Sequence, residues 1–313
     1  MSLAWQHSRE GGGRFAIWLI RAAGLYLGRG FARAALYPIT LYFYWRRPEE
    51  KRCIRDFYRR VQGRPASAWQ VLKQIHAFSC TILDRVYLLS QGLERFDIEV
   101  HGEEQPQAIL ASGRGMLLLG SHYGSFEALR ALSIRDAAVK LRVVLDKQQT
   151  PALTRLLEEL APDVGRDAID IAEGVVPAML TMADAARQCH MIALLADRPR
   201  AGEATRLAPF IGDPAPFPTG PWQVAASLGV PVVLCFGTYL GGNRYRLDFE
   251  VFEDKVTLPR QQREAALDAL VTRYAARLEH YARAHPGNWF NFFDFWQPPA
   301  MDVVRSGNTA ESC

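Results

Sequence analysis

The chain is poor in residues that would cross-link it or hold a metal. Its 313 residues include five cysteines, Cys53, Cys80, Cys189, Cys235 and Cys313, odd in number and scattered with no C-x-x-C pair. That pattern excludes a disulfide framework and suits a reducing cytoplasm. Cys80 and Cys235 stand in apolar surroundings and read as small core residues rather than nucleophiles. Cys313, the last residue, is not four from the end as prenylation requires. No His-Glu-x-x-His occurs, which removes the common zinc-hydrolase signature, and no metal or cofactor is expected. Neither a Walker loop nor a dinucleotide fingerprint opens a helix after a predicted strand, so cradling of phosphates by a Gly-rich loop has no support. No apolar run reaches the roughly 20 residues a simple membrane span needs, because Arg21, Arg29 and Arg33 interrupt the best candidate. The apolar stretch before Arg21 covers only residues 15–20, too short for a cleaved signal peptide. No internal repeat is visible.

What the chain does have is apolar content and an uneven charge. A hydrophobic fraction of 49% over 313 residues is enough to bury a large core in one catalytic domain. Residues 1–60 carry twelve Lys or Arg against four acids, and the rest of the chain carries 25 basic against 29 acidic residues. A basic front end points to an anionic surface, either membrane or nucleic acid. Residues 15–45 decide for the membrane, since Phe15, Trp18, Leu25, Phe31, Tyr42, Phe43, Tyr44 and Trp45 are among more apolar side chains than a nucleic-acid arm needs. Arg14, Arg21, Arg29 and Arg33 share a broad sector of a 3.6-residue helix. The segment therefore reads as an interfacial anchor whose arginines snorkel to headgroups, kinked at Pro38, with aromatic rings at headgroup level. The alternative is a buried core helix with arginines reaching solvent.

Residues 67–89 read as one long amphipathic helix that includes His76 as a packing residue. Phe96 to Val100 alternates as a strand ending at His101. Hydrophobic runs at 116–119, 141–145, 191–196 and 232–236 alternate with helical stretches, the pattern of an α/β fold with a central, mostly parallel sheet flanked by helices. Thr219-Gly220-Pro221 reads as a helix start and Gly229 as its stop. The Pro-rich block before it reads as a shaped loop, and residues 260–284 as a charged scaffold helix. The expected organisation is a membrane-anchoring segment at 1–60, a catalytic domain at 61–297 and a disordered tail at 298–313.

The most informative stretch is Gly120-Ser121-His122-Tyr123-Gly124-Ser125-Phe126-Glu127, where a buried strand runs into a predicted helix start. The glycine-flanked loop can bring the His122 imidazole and Glu127 carboxylate together. A carboxylate on one ring nitrogen leaves the other basic and directed outward, as a general base needs. A structural His/Glu pair is the alternative. Gly120 to Gly124 has the outline of a nucleophile elbow, but its central residue is His, which disfavours a serine hydrolase. Ligands collect at the carboxyl ends of parallel strands, and His122 and Asp197 each follow one, so one cleft could hold both.

His-x-x-x-x-Asp/Glu after a short strand resembles the signature of the lysophospholipid acyltransferase superfamily, and the chain is similar to its lipid A late-acyltransferase branch. Besides residues 120–127 and the N-terminal Arg-bearing segment, the resemblance rests on Leu194-Leu195-Ala196-Asp197-Arg198, on Pro209-Phe210-Ile211-Gly212 before Pro218-Thr219-Gly220, and on Pro286-Gly287-Asn288-Trp289-Phe290-Asn291-Phe292-Phe293. It implies transfer of a fatty acyl group from an acyl thioester, on acyl carrier protein or coenzyme A, to a lipid or lipid-linked acceptor at the cytoplasmic face of a bacterial inner membrane, with no nucleic acid involved. His122 would be the base and Glu127 its orienting partner. Asp197, Arg198, Arg155 and Thr219 would contact substrate. For Asp197 a plain strand-end turn is the alternative. Oxyanion donors are expected among the amides of residues 120–125. Acidic carrier proteins would be drawn to Arg142, Lys147 and Arg155. One departure is that Arg155 is followed by Glu158-Glu159, where the family has a basic run. The acceptor could thus differ from a lipid A precursor, with an aryl-polyene pigment lipid as one alternative. A non-catalytic membrane assembly protein keeping the fold is the other.

Overall fold

A computed structural model describes residues 14–90, 93–129, 140–148, 151, 154, 159–160, 162–200 and 202–297, and for 14–28, 90, 93, 129 and 162–164 the backbone only. Three helices come first: α1 (Arg14–Arg46), α2 (Pro48–Gln62) and α3 (Ala68–Ser90). Strands and helices then alternate through β1 (Asp97–His101), α4 (Glu104–Ala111), β2 (Met116–Gly120), β3 (Leu141–Leu145), α5 (Pro162–Asp167), β4 (Ile169–Asp170), α6 (Val175–Arg187) and β5 (Met191–Leu195). The hairpin β6 (Thr205–Phe210) and β7 (Asp213–Pro218), α7 (Gly220–Leu228), β8 (Val232–Gly241), β9 (Arg244–Glu253) and α8 (Arg263–Ala284) complete the fold. Among the described residues the main sheet has seven strands in the order β1-β9-β8-β2-β5-β3-β4. Strands β8, β2, β5, β3 and β4 are mutually parallel, so their carboxyl ends share one edge. Only β9 runs against β8, with β1 parallel to β9 at the margin.

Strand β2 is buried along its whole length because helices cover both faces of the sheet. Leu117 and Leu119 join a core that includes Ile192, Leu194, Trp222, Tyr274 and Leu278. The alternate residues Met116 and Leu118 join a second core with Leu36, Leu83, Tyr87, Met191 and Val233. Cys80 and Cys235 are buried in this second core, as their surroundings predict.

The proline block is a correction to the expected loop. It forms the β6–β7 hairpin, turned by Ile211 and Gly212, both at positive φ (51° and 91°). A two-stranded ribbon leaves one edge of each strand unpaired, which is where a residue without an N–H is tolerated. The loop after Gly124 likewise begins with a short 3-10 turn, Phe126–Leu129, rather than an α-helix. The helix of α1 runs on through Pro38. The expected disordered tail lies outside the described residues.

The N-terminal helix also departs from expectation in which way it faces. Arg29 donates to both oxygens of the fully buried Asp84 (2.8 and 2.9 Å), and Arg33 donates to the same carboxylate at 3.2 Å. Both arginines also reach the Gly242 carbonyl, at 2.7 and 2.6 Å, and the Tyr245 hydroxyl donates to Asp84 at 2.8 Å. These two arginines therefore point into the protein, not to headgroups, because a buried carboxylate must be paired. The outward residues are Phe31, Tyr37, Leu41, Tyr42 and Trp45, between 49% and 77% exposed. No described helix is long and apolar enough to cross a membrane.

Candidate active site

Strands β2 and β5 are adjacent and pair with Gly120 opposite Leu195. His122 and Asp197 each stand two residues beyond that pair, so the sheet register alone brings them level at the shared carboxyl edge. The Ala196 N–H donates to the Gly120 carbonyl at 3.0 Å and extends the ladder to that point. His122 Nδ1 lies 2.9 Å from Asp197 Oδ1, and the His122 backbone N–H donates to Oδ2 at 3.1 Å. Asp197 is fully buried, whereas the His122 side chain keeps 36% of its surface. With Nδ1 held as the donor to a carboxylate, Nε2 is left as the acceptor on the open side.

A distant segment clamps the histidine loop. The Phe290 N–H donates to the His122 carbonyl at 3.0 Å, the Gly124 N–H to the Asn288 carbonyl at 2.8 Å, and the Ser125 N–H to the Gly237 carbonyl at 2.8 Å. Gln74 of α3 fixes the clamp by donating to the Trp289 carbonyl at 2.7 Å. At Gly124 φ is +62°, and a side-chain carbon would run into the Gly237 carbonyl, so backbone close approach requires glycine here. The closing Pro286 to Phe293 motif thus works structurally, through its backbone, through the Asn288 amide, which bonds the Tyr239 N–H and carbonyl, and through the buried Trp289 ring. The same contacts narrow the expectation for the oxyanion: the amides of His122, Gly124 and Ser125 already have partners.

Glu127 is placed elsewhere than beside the imidazole nitrogen. Its Oε1 lies 2.7 Å from Arg85 Nε of α3, and the Ser125 hydroxyl donates to Oε2 at 3.3 Å. The carboxylate on His122 is Asp197, 75 residues away, and the five-residue spacing of His122 and Glu127 ends in a 3-10 turn that gives the glutamate to Arg85. Nothing in the local sequence marks Arg85. The sequence signal for Asp197 was its equivalent position after a second buried strand.

The charges around the ring set its state. Burial lowers the His122 pKa first, Arg198 lowers it further, Asp197 pulls it back up, and Arg85 adds to the lowering; the net direction is downward. Burial alone would raise the Asp197 carboxyl, but His122, its hydrogen bonds and Arg198 hold it below the usual range. The pair is thus a neutral imidazole on an ionised carboxylate near neutral pH, ready to accept a proton. Arg198 Nη2 donates to the Phe290 carbonyl at 2.6 Å, and the guanidinium lies 5.2 Å from the Phe293 ring centre. Burial, partly offset by Asp197, brings Arg198 down to about 10, so it stays charged.

Thr219 and Arg142 are bonded to groups other than the His122–Asp197 pair. The Thr219 hydroxyl donates to the Ala204 carbonyl (3.1 Å) and accepts from Gln223 (3.0 Å), which ties the hairpin to the start of α7. Arg142 lies 3.7 Å from Asp167, and Arg155 falls outside the described residues. Among the described residues no group of three or more His, Cys, Asp or Glu is arranged to hold a metal ion.

Among the described residues no serine or cysteine side chain hydrogen-bonds to the His122 ring, and a neutral histidine held by a buried carboxylate at the carboxyl edge of a parallel sheet can take a proton from an external nucleophile. The family model for bacterial lipid A biosynthesis acyltransferases matches residues 86–297, and the chain belongs to that family. The match takes in His122, Glu127, Asp197, Arg198 and the closing clamp, while α1 and α2 lie outside it. No curated protein matches the chain.

Proposed function

We propose that this chain transfers a fatty acyl group from an acyl thioester to a hydroxyl or amine of a lipid or lipid-linked acceptor, working from a membrane surface. His122 Nε2 takes the acceptor proton as the acceptor attacks the thioester carbonyl, and Asp197 holds the ring in the required tautomer. The 2.9 Å contact between His122 Nδ1 and Asp197 Oδ1 carries this reading. Glu127 pairs with Arg85, whose charge acts on the ring. We favour acyl carrier protein over coenzyme A as donor, on Lys147 just past the carboxyl end of β3, whereas Arg142, the second residue of that strand, stands toward the opposite edge of the sheet. The test is thioester turnover with both carriers by the wild type, His122→Ala, Asp197→Asn and the double variant. His122→Ala should lose about a hundredfold to ten-thousandfold, the range of general-base catalysis. The double variant should be little worse, since the two residues act as a unit. Full transfer by a folded His122→Ala protein would place the base elsewhere.

The outward apolar stripe of α1 supports contact with a membrane surface, which we propose to be the cytoplasmic face of the inner membrane. From Phe31 to Trp45 it extends about 21 Å at 1.5 Å per residue, with no outward charge before Arg46. It leads into α2, whose exposed Arg52, Arg55 and Arg59 suit anionic headgroups. Insertion of apolar side chains predicts binding that weakens but survives in high salt. Co-sedimentation with anionic vesicles should be lost in Leu41→Asp with Trp45→Asp and retained in the wild type at high salt. Retention by the double variant would show that this face does not meet the bilayer.

A further inference from the structure

The oxyanion formed in acyl transfer needs donors, and the loop that carries His122 has few to offer. The amides of His122, Gly124 and Ser125 are bonded to Asp197, Asn288 and Gly237. The cation closest in sequence to the dyad is Arg198, and it is incompletely used. Its one hydrogen bond among the described residues is Nη2 to the Phe290 carbonyl. Nε is buried with no hydrogen-bond partner, 3.8 Å from Asp197 Oδ2, and the side chain keeps 18% of its surface. A guanidinium carries five N–H groups, so stacking on Phe293 and anchoring on Phe290 fix the fork while leaving donors unspoken for.

Building on the acyl-transfer reading, we infer that Arg198 is the catalytic cation that stabilises the tetrahedral oxyanion. The acceptor oxygen bonds to the thioester carbonyl carbon as its proton passes to His122 Nε2, and the carbonyl π pair moves onto oxygen beside the guanidinium. When the intermediate collapses, that pair re-forms the carbonyl, the C–S bond breaks, and the thiolate leaves with the proton from His122. A fixed cation in a partly dry site favours the oxyanion over the neutral carbonyl, and such an interaction raises kcat rather than lowering KM. The same cation acts on the base. The charged groups facing His122 are Asp197 and Arg198 at the end of β5 and Arg85 of α3, the last bound to Glu127. Arg198 opposes protonation of the ring and so keeps it competent as a base.

The experiment compares Arg198→Gln, Arg198→Met and Arg198→Lys in thioester turnover on acyl carrier protein and coenzyme A, across pH, with His122→Ala alongside. The neutral variant that folds better by thermal melt is the one assayed. It should lose about a hundredfold to a thousandfold in kcat with KM little changed, the range for removing one oxyanion donor. Its acid limb should move to higher pH, because His122 loses a neighbouring positive charge. Arg198→Lys should restore the limb and only part of kcat. Transfer within about threefold of the wild type, or a loss confined to KM with an unmoved acid limb, overturns the assignment. If the wild type turns over neither donor, it is the acyl-transfer reading that fails. NMR titration of the His122 ring still tests the field of Arg198 in that case, and an unshifted ring in the neutral variant overturns that part.

Discussion

Among the described residues two aspartates, Asp84 and Asp197, have fully buried side chains, and the difference between their surroundings separates architecture from chemistry. Asp84 is saturated. It takes two bonds from Arg29, one from Arg33 and one from Tyr245, and every partner is itself anchored elsewhere or packed in the core. Such a site holds α1 against α3 and the β8–β9 turn but has nothing left to give a ligand. Asp197 meets the His122 ring and backbone, with Arg198 at 3.8 Å, and its main partner still offers a free nitrogen to the outside. A buried carboxylate becomes functional when the group it orients remains open on its far side.

The comparison can be broken by making the same change twice. Asp197→Asn should leave a folded protein whose thioester turnover falls by on the order of a hundredfold to ten-thousandfold, because an amide no longer selects the tautomer with Nδ1–H. Glu127→Gln in the same assay should lose less. Equal losses would return the orienting role to Glu127. Asp84→Asn should do the reverse. It leaves two arginines without their counter-charge in a partly buried site, a change worth about 3–5 kcal/mol when one partner of a buried pair is removed. Urea unfolding should show this loss, while the protein that remains folded keeps turnover near the wild-type value. A stable but inactive Asp84→Asn would mean that this aspartate serves the reaction.

The smallest expected effect is on the pH dependence of stability. The folded-state pKa of His122 is lowered, so between that value and the ordinary histidine value of about 6.5 the unfolded chain binds more protons than the native one. Its contribution is therefore complete above about pH 6.5 and is lost as pH falls through the lowered value. His122→Gln should flatten the decline in unfolding free energy between neutral and mildly acidic pH. An unchanged slope in that variant would assign the decline to other groups, such as His76 and His190, whose pKa values burial also lowers.

Much of this was legible in the chain. The strand at Met116–Gly120, the α3 helix, the α7 stop at Gly229 and the parallel sheet follow from hydrophobic period and turn residues, which are local. The proline hairpin was not, because proline argues against a strand unless the strand has a free edge, and edges are a property of the sheet. The direction of α1 was hidden for a related reason. A helical wheel shows that Arg29 and Arg33 share a side, but not that Asp84, 51 residues after Arg33, waits there.

By itself the sequence determined the class of fold, the family and the histidine we propose as the base, since each depends on residues within a few positions of one another. Only the tertiary structure decided which carboxylate serves that histidine. Two strands in parallel register set His122 and Asp197 level across a 75-residue separation, while a 3-10 turn hands the nearby Glu127 to Arg85. Hydrogen bonding acts over about 3 Å in space, and the chain reports distance only along its length.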